Sequence, residues 1–303
     1  MKSTSILILC WIMLTLPPAV AQHPFSADSV ALLKATWNFL DVAPGVTWKQ
    51  AHLKEKELFH SNQNINILDT KLKNRRVSFG FVSADTPGDS VRKLIPTSDL
   101  LTKAGAVAAV NGTFFFVKQK GSEDQIKLDG VVLDSTFYTP GKPLMEHKQA
   151  AITIRKRKVT IERAPTSEPG RQYGWDKKLN APNVMVTGPL LVWDGEIVPL
   201  QKNAFNDNRH PRTAACITRE KHLILLTADG RNAQAEGLSL HELAFLLKQL
   251  RCERAVNLDG GGSSTMVIAG QPYKGVVNMP SDNKMFDHLG ERPVSNAIYI
   301  RKK

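Results

Sequence analysis

The sequence predicts an α+β fold, a single domain on a mixed, mostly antiparallel β-sheet core with a few packed helices. Three observations carry that prediction. Short apolar runs bounded by Gly, Pro, Asn and Asp recur from residue 48 to the end, which is strand patterning. Only one stretch sustains a helical period over several turns. No internal repeat or low-complexity linker divides the chain.

Residues 29–40 have the composition of a short helix, closed off before Pro44-Gly45. Strands are predicted over 52–59, 65–71 and 77–82. Pro96-Thr97 opens a helix running to 103, with the Thr97 hydroxyl available to cap its free N–H groups. The small apolar strand 106–110 then runs into Asn111-Gly112-Thr113. Further strands are predicted over 130–133, 150–154, 159–163, 183–187, 190–193, 214–218 and 223–227.

The helix at 240–251 is the best defined. Ser239 and Glu242 make a capping box, and Leu238 and Leu243 have the spacing of a hydrophobic staple. Leu240, Leu243, Leu246, Leu247 and Leu250 form one apolar stripe. Strands at 255–258, 265–268 and 297–300 complete the pattern.

The first residues predict export. Lys2, an apolar run over 6–16 and Ala19-Val20-Ala21 have the layout of a signal peptide cleaved before Gln22. The run is short and stops at Pro17-Pro18, unlike a membrane anchor. Cys10 follows Leu9 rather than a small residue, which argues against lipid modification. The expected organisation is therefore a leader at 1–21, a lead-in at 22–60 and the main domain at 61–303, without a later membrane segment, in a periplasmic or extracellular location. Cleavage leaves 282 of the 303 residues, ample for a core.

Beyond the leader only Cys216 and Cys252 remain. Their apolar flanks favour buried free thiols, with a single bridge as the alternative in an oxidising compartment. The formal net charge is +12. Such an exported protein meets polyanions readily, and the expected partner is a phosphorylated carbohydrate rather than a nucleic acid. The densest cluster, Arg155-Lys156-Arg157-Lys158, lies between two alternating apolar runs and reads as a solvated hairpin tip.

The segment Asn257-Leu258-Asp259-Gly260-Gly261-Gly262-Ser263-Ser264-Thr265 is the most informative. A carboxylate closes an apolar strand, and three glycines precede two hydroxyls. Ordering three glycines is entropically costly, so the loop needs a reason. Close approach of its N–H groups to an anion is one, and a tight turn between strands is the other. It is not a nucleotide loop, because no Lys precedes the hydroxyls and the following residues read as a strand. His210-Pro211-Arg212-Thr213 puts Arg212 at a strand mouth, where it can clamp a phosphate or simply bridge strands. Asp229 ends the apolar strand before Gly230-Arg231 and is either a site residue or part of an Asp-Gly turn. Asn111-Gly112-Thr113 matches a glycosylation acceptor but lies against Phe114-Phe115-Phe116, which predicts burial.

Metal and serine-hydrolase chemistry find no motif. Phe245 stands where a zinc protease helix starting at His241 needs its second His. There is no Gly-x-Ser-x-Gly elbow. No metal site and no cofactor are predicted; Asp207, Asp229 and Asp259 leave a divalent cation as an open alternative.

Taken in order, Asn-Gly-Thr-Phe-Phe (111–115), Thr-Gly-Pro-Leu-Leu (187–191), Pro-Arg-Thr-Ala (211–214), Asp-Gly-Arg (229–231), Gly-Leu-Ser-Leu-x-Glu-Leu-Ala (237–244), Asn-Leu-Asp-Gly-Gly-Gly-Ser-Ser-Thr (257–265) and Glu-Arg-Pro-Val-x-Asn-Ala (291–297) resemble the phosphodiester glycosidase family. The resemblance covers roughly residues 100–301. Thr113 departs from it, since members often carry Gly at that place. The resemblance implies hydrolysis of a sugar 1-phosphodiester, of the N-acetylglucosamine 1-phosphodiester kind, at its glycosidic bond. On that reading Asp259 is the first choice of catalytic carboxylate and Asp229 the second. Arg212, with Arg292 and the Gly260, Gly261 and Gly262 amides, holds the phosphate. Asn111, Thr187, Ser263 and Arg231 are further substrate ligands. If two carboxylates face the anomeric carbon, a gap of about 5 Å implies retention and about 6.5–9.5 Å inversion. A non-catalytic protein binding phosphorylated or acidic envelope glycans, and a phosphodiesterase cutting the P–O bond, are the alternatives.

Overall fold

The computed structural model describes residues 26–139, 142–165 and 172–303. The leader expected at 1–21, Cys10 and the expected start at Gln22 lie outside the described residues. The chain begins with α1 (Ser26–Lys34), β1 (Asn38–Ala43), β2 (Val46–Leu58), β3 (Ser61–Lys71) and β4 (Val77–Ser83). Next come α2 (Thr97–Ala104), β5 (Ala108–Asn111), β6 (Ile126–Leu128), β7 (Val131–Asp134), β8 (Ala150–Arg155) and β9 (Lys158–Arg163). Then follow β10 (Asn183–Thr187), β11 (Leu190–Trp193), β12 (Glu196–Ile197), α3 (Ala204–Asp207), β13 (Arg212–Thr218) and β14 (His222–Ala228). The last elements are α4 (Leu240–Gln249), β15 (Cys252–Asn257), β16 (Met266–Ile268) and β17 (Asn296–Lys302).

The predicted α+β class on a mostly antiparallel β core is the observed one. The core is divided among three sheets, ordered β1-β2-β3-β14-β13-β15-β11-β12, β7-β6-β10-β8-β9 and β16-β5-β17-β4. Every pairing among the named strands is antiparallel. Side chains alternate across the largest sheet, so its two faces carry different cores. Leu223 and Leu225 of β14 pack with Phe79, Val110 and Ile152 from the two smaller sheets. Ile224 and Leu226 pack with Leu243, Leu246 and Leu247 of α4. The large sheet is thus covered by sheets on one side and by a helix on the other.

Local signals explain most boundaries. The Ser239 hydroxyl accepts from Glu242 N at 3.2 Å and the Glu242 carboxylate from Ser239 N at 2.8 Å, so the capping box forms as predicted. Two expectations give way to tertiary partners. The helix predicted over 29–40 ends at Lys34, because Trp37 and Phe39 lead the chain into β1, which pairs with β2 from Asn38↔Gln50 onward. At α2 the Thr97 hydroxyl is buried without a hydrogen-bond partner. Glu291 takes both the Ser98 N–H and the Ser98 hydroxyl instead, each at 2.7 Å, and puts a carboxylate at the helix N-terminus.

Cys216 and Cys252 form a disulfide, correcting the expectation of free thiols. They sit on the neighbouring strands β13 and β15 with Cα atoms 5.8 Å apart, within bridging range. Residues 38–58, in the proposed lead-in, supply β1 and β2 to the largest sheet. Among the described residues no helix is long and apolar enough to cross a membrane.

Candidate active site

The ends of β5, β13, β14 and β15 converge on the loop that follows β15. Asn111, at the end of β5, holds that loop from below. Its Nδ2 donates to the Asp259 carbonyl at 2.7 Å, and its Oδ1 accepts from Thr213 Oγ1 at 2.8 Å and Thr265 N at 3.1 Å. Asp259 N donates to the Gly112 carbonyl at 3.0 Å. Thr187 Oγ1 donates to the Asn257 carbonyl at 2.9 Å. Asn111 and Thr187 are both fully buried. Their side chains hold the loop's backbone in place and are enclosed by protein. The burial of Asn111 is as its aromatic neighbours predicted.

The three glycines are required by what lies against them. Gly261 adopts φ +61°, and a Cβ there would lie 2.9 Å from Arg231 Nη2. A Cβ on Gly262 would fall 2.5 Å from Asp282 Oδ1 and 2.6 Å from Arg292 Nη2. One on Gly260 would fall 2.8 Å from the Pro211 carbonyl. Two guanidinium groups therefore rest directly on the loop. The loop's amides are less available than predicted. Gly260 N donates to the Asp259 carboxylate at 2.9 Å and Gly261 N to the Pro211 carbonyl at 2.8 Å. Of the three, only the Gly262 N–H is uncommitted among the described residues.

The cations divide by role. Arg212 is buried, and its Nε and Nη2 donate to the carbonyls of Leu238 (2.9 Å), Phe205 (2.6 Å) and Asn208 (3.0 Å). Its guanidinium also lies 5.0 Å from the Phe205 ring centroid. It ties Phe205 and Asn208 to Leu238, two residues before α4, and the three carbonyls occupy the donors expected to clamp a phosphate. Arg292 bonds the Asp282 carboxylate through Nε (2.9 Å) and Nη2. Arg231 is exposed, with no ion pair among the described residues. It is the cation freest to meet an anion at the glycine loop.

The two predicted carboxylates also separate. Asp229 is buried, with its oxygens taken by Asn278 Nδ2 at 2.7 Å and Asn64 Nδ2 at 2.6 Å. Asn278 Nδ2 also donates to the Ser264 carbonyl at 3.0 Å, so Asp229 braces the far end of the glycine loop. Desolvation pushes its pKa up to about 6 against these donors. Asp259 has protein on most sides yet keeps accessible surface. Desolvation raises its pKa to about 6, with Glu123 adding like-charge repulsion; Ser263, the Gly260 N–H and Arg292 oppose the rise. Asp207 bonds His241 at 3.0 Å, so the three acidic residues weighed for a cation do not share a site.

Sequence reading missed the group beside Asp259. Glu123 is half-buried, and its carboxylate lies 3.9 Å from His147 Nδ1, which contacts the buried Asp124 at 2.6 Å. Phe114 packs against His147 with ring centroids 5.8 Å apart. These residues lie in or near irregular segments between β5 and β8, where no periodicity marks them. Burial and the charges of Arg212 and Arg231 hold the pKa of His210 below the usual imidazole value.

Asp259, Gly262, Ser263, Arg231 and Arg292 thus come together around one loop, with Glu123 alongside. The sequence profile of the phosphodiester glycosidase family matches residues 104–301, a span that contains all of them. The chain belongs to the phosphodiester glycosidase family. Relatives in that family include the mouse N-acetylglucosamine-1-phosphodiester alpha-N-acetylglucosaminidase, 46% identical over 72 residues, or 24% of this chain and 13% of the relative. A prophage-derived uncharacterized protein of Bacillus subtilis is 31% identical over 93 residues, 30% of this chain and 14% of that one. The matched segments are thus a small part of these relatives' length. The phosphodiester glycosidase fold also resembles the zebrafish N-acetylglucosamine-1-phosphodiester alpha-N-acetylglucosaminidase catalytic domain, solved auto-inhibited by its pro-peptide. That likeness has TM-score 0.65 and 20% identity over 90% of this chain and 91% of that one. A hypothetical protein from Synechocystis gives TM-score 0.62 with 16% identity over 88% and 64% of the two chains.

Proposed function

We propose that this phosphodiester glycosidase is exported by its leader and cleaves the glycosidic bond of a sugar 1-phosphodiester, of the N-acetylglucosamine 1-phosphodiester kind. The observation that carries the reading is the Asp259 carboxylate on a glycine loop overlaid by two guanidinium groups. The leaving group is a phosphomonoester whose second pKa is about 6, so it departs without a strong general acid. Its developing charge meets Arg231, Arg292 and the Gly262 N–H. The C1–O bond breaks with its electron pair going to the phosphate oxygen. Water then bonds to C1 and gives its proton to a carboxylate or to the departing phosphate. Ionised Asp259 stabilises the oxocarbenium-like transition state or activates that water, and Glu123 is the second carboxylate in reach of the region. Asp229, Arg212, Asn111 and Thr187 act by holding the loop.

The test is release of reducing sugar from an α-N-acetylglucosamine 1-phosphodiester by the mature protein and by Asp259→Asn. Release by the parent and a loss of three orders of magnitude or more in the folded variant are expected, with label from ¹⁸O-water in the sugar. Label in the phosphate would mean P–O cleavage. No release from a panel of sugar 1-phosphodiesters would replace the enzyme with a binding protein for phosphorylated or acidic envelope glycans.

A further inference from the structure

A concavity of about 800 Å³ opens at the end of β13, β14 and β15 away from Asp259. Asp259 follows the end of β15 that pairs with Ala214, whereas this cleft lies by Ile217, Lys221 and Arg254. The seven residues of β13 separate the two ends by roughly 20 Å at about 3.3 Å per residue. Lys73 and Arg75 after β3, Arg157 and Lys158 at the β8–β9 tip, Lys221 in the β13–β14 turn and Arg254 on β15 line it. Glu253 is the one carboxylate among its lining residues, and it pairs with Lys221. Arg254 is occupied by the Ile161 carbonyl at 3.0 Å and by the Trp193 ring at 4.2 Å. Lys73, Arg75, Arg157 and Lys158 are exposed and have no ion pair among the described residues.

Segments far apart in sequence thus bring cations to one concavity, where their mutual repulsion favours an anionic occupant. We propose that this cleft binds an anionic glycan chain carrying repeated phosphate or carboxylate groups, independently of the reaction at Asp259. Its apolar floor is buried (Val159, Ile161, Ile217) and offers nothing to insert into a bilayer, whereas surface-binding elements need exposed apolar side chains. No aromatic side chain lines it, so bases of a single-stranded nucleic acid find no stacking platform. A flexible polyanion fits the exposed cations that line the cleft.

The experiment measures binding of poly(glycerol phosphate), single-stranded DNA of matched charge and phosphatidylglycerol vesicles at about 0.15 M salt. Arg157→Glu/Lys158→Glu is compared with Lys54→Glu/Lys56→Glu, the same charge change on β2. Lys73→Gln/Arg75→Gln on the opposite wall serves as an independent variant. The expected result is tightest binding to poly(glycerol phosphate), at least tenfold weaker in both cleft variants and unchanged in the β2 variant. The log–log salt slope should fall by about 1 to 2 in the cleft variants. Reducing-sugar release from a small diester should be unchanged. Equal weakening by the β2 variant, tighter binding of DNA or vesicles, or no binding of the polymer would overturn the proposal.

Discussion

The protonation of Asp259 offers the sharpest test of the site, because its neighbours push in opposite directions. Burial lifts its pKa to about 6, so about a tenth of the protein carries the carboxylate at pH 5 and about nine tenths at pH 7. If the ionised form is required, kcat/KM on a sugar 1-phosphodiester falls tenfold per pH unit below about 6. Arg292 and Ser263 are among the groups that oppose the rise, and the charge that adds to it is Glu123. Arg292→Gln and Ser263→Ala should therefore move the acid limb to higher pH, and Glu123→Gln should move it lower. The assay is the pH dependence of kcat/KM from pH 4 to 8 for parent and variants, using a substrate whose phosphate titration is measured separately. An acid limb near 4, or three variants shifting it the same way, would refute the assignment of the limb to Asp259.

Two further outcomes concern stability. Burial raises Asp229 from 3.8 to about 6, so the native state holds a proton that the unfolded chain has lost. Its contribution is fully present below pH 3.8 and falls by about 3 kcal/mol as pH rises through 6. Asn64 Oδ1 has no partner and can turn to receive the new amide in Asp229→Asn. Urea denaturation should therefore show the variant's deficit relative to the parent shrinking by about that amount between pH 4 and 7; a pH-independent difference would contradict the account. Reduction of Cys216–Cys252, which closes a sequence separation of 36, should cost about 2–4 kcal/mol. Thermal melts with and without reductant measure it, and an unchanged Tm would show that the bridge contributes nothing.

The sequence by itself determined the α+β class, most strand positions, the helix predicted over 240–251 and observed over 240–249 with its capping box, and the glycine loop as a constrained turn. These are local facts, written in alternation, in the Ser239–Glu242 spacing and in residues that only a close approach explains. Tertiary structure decided which polar residues of the motifs face outward. Arg212 and Asp229 sit in motifs as prominent as Asp259, but carbonyls from the 205–208 turn and amides from Asn64 and Asn278 enclose them. No spacing within a motif records that enclosure, because the partners come from other elements. The same reason hid Glu123, whose charge reaches Asp259 only through folding of an irregular segment. It also hid the disulfide across β13 and β15. The basic tip at 155–158 was legible as a hairpin, but its charge acquired a second wall only when Lys73, Arg75 and Lys221 folded opposite it. Local periodicity reports which face of an element is apolar; what a charged side chain meets depends on contacts between residues far apart in the chain.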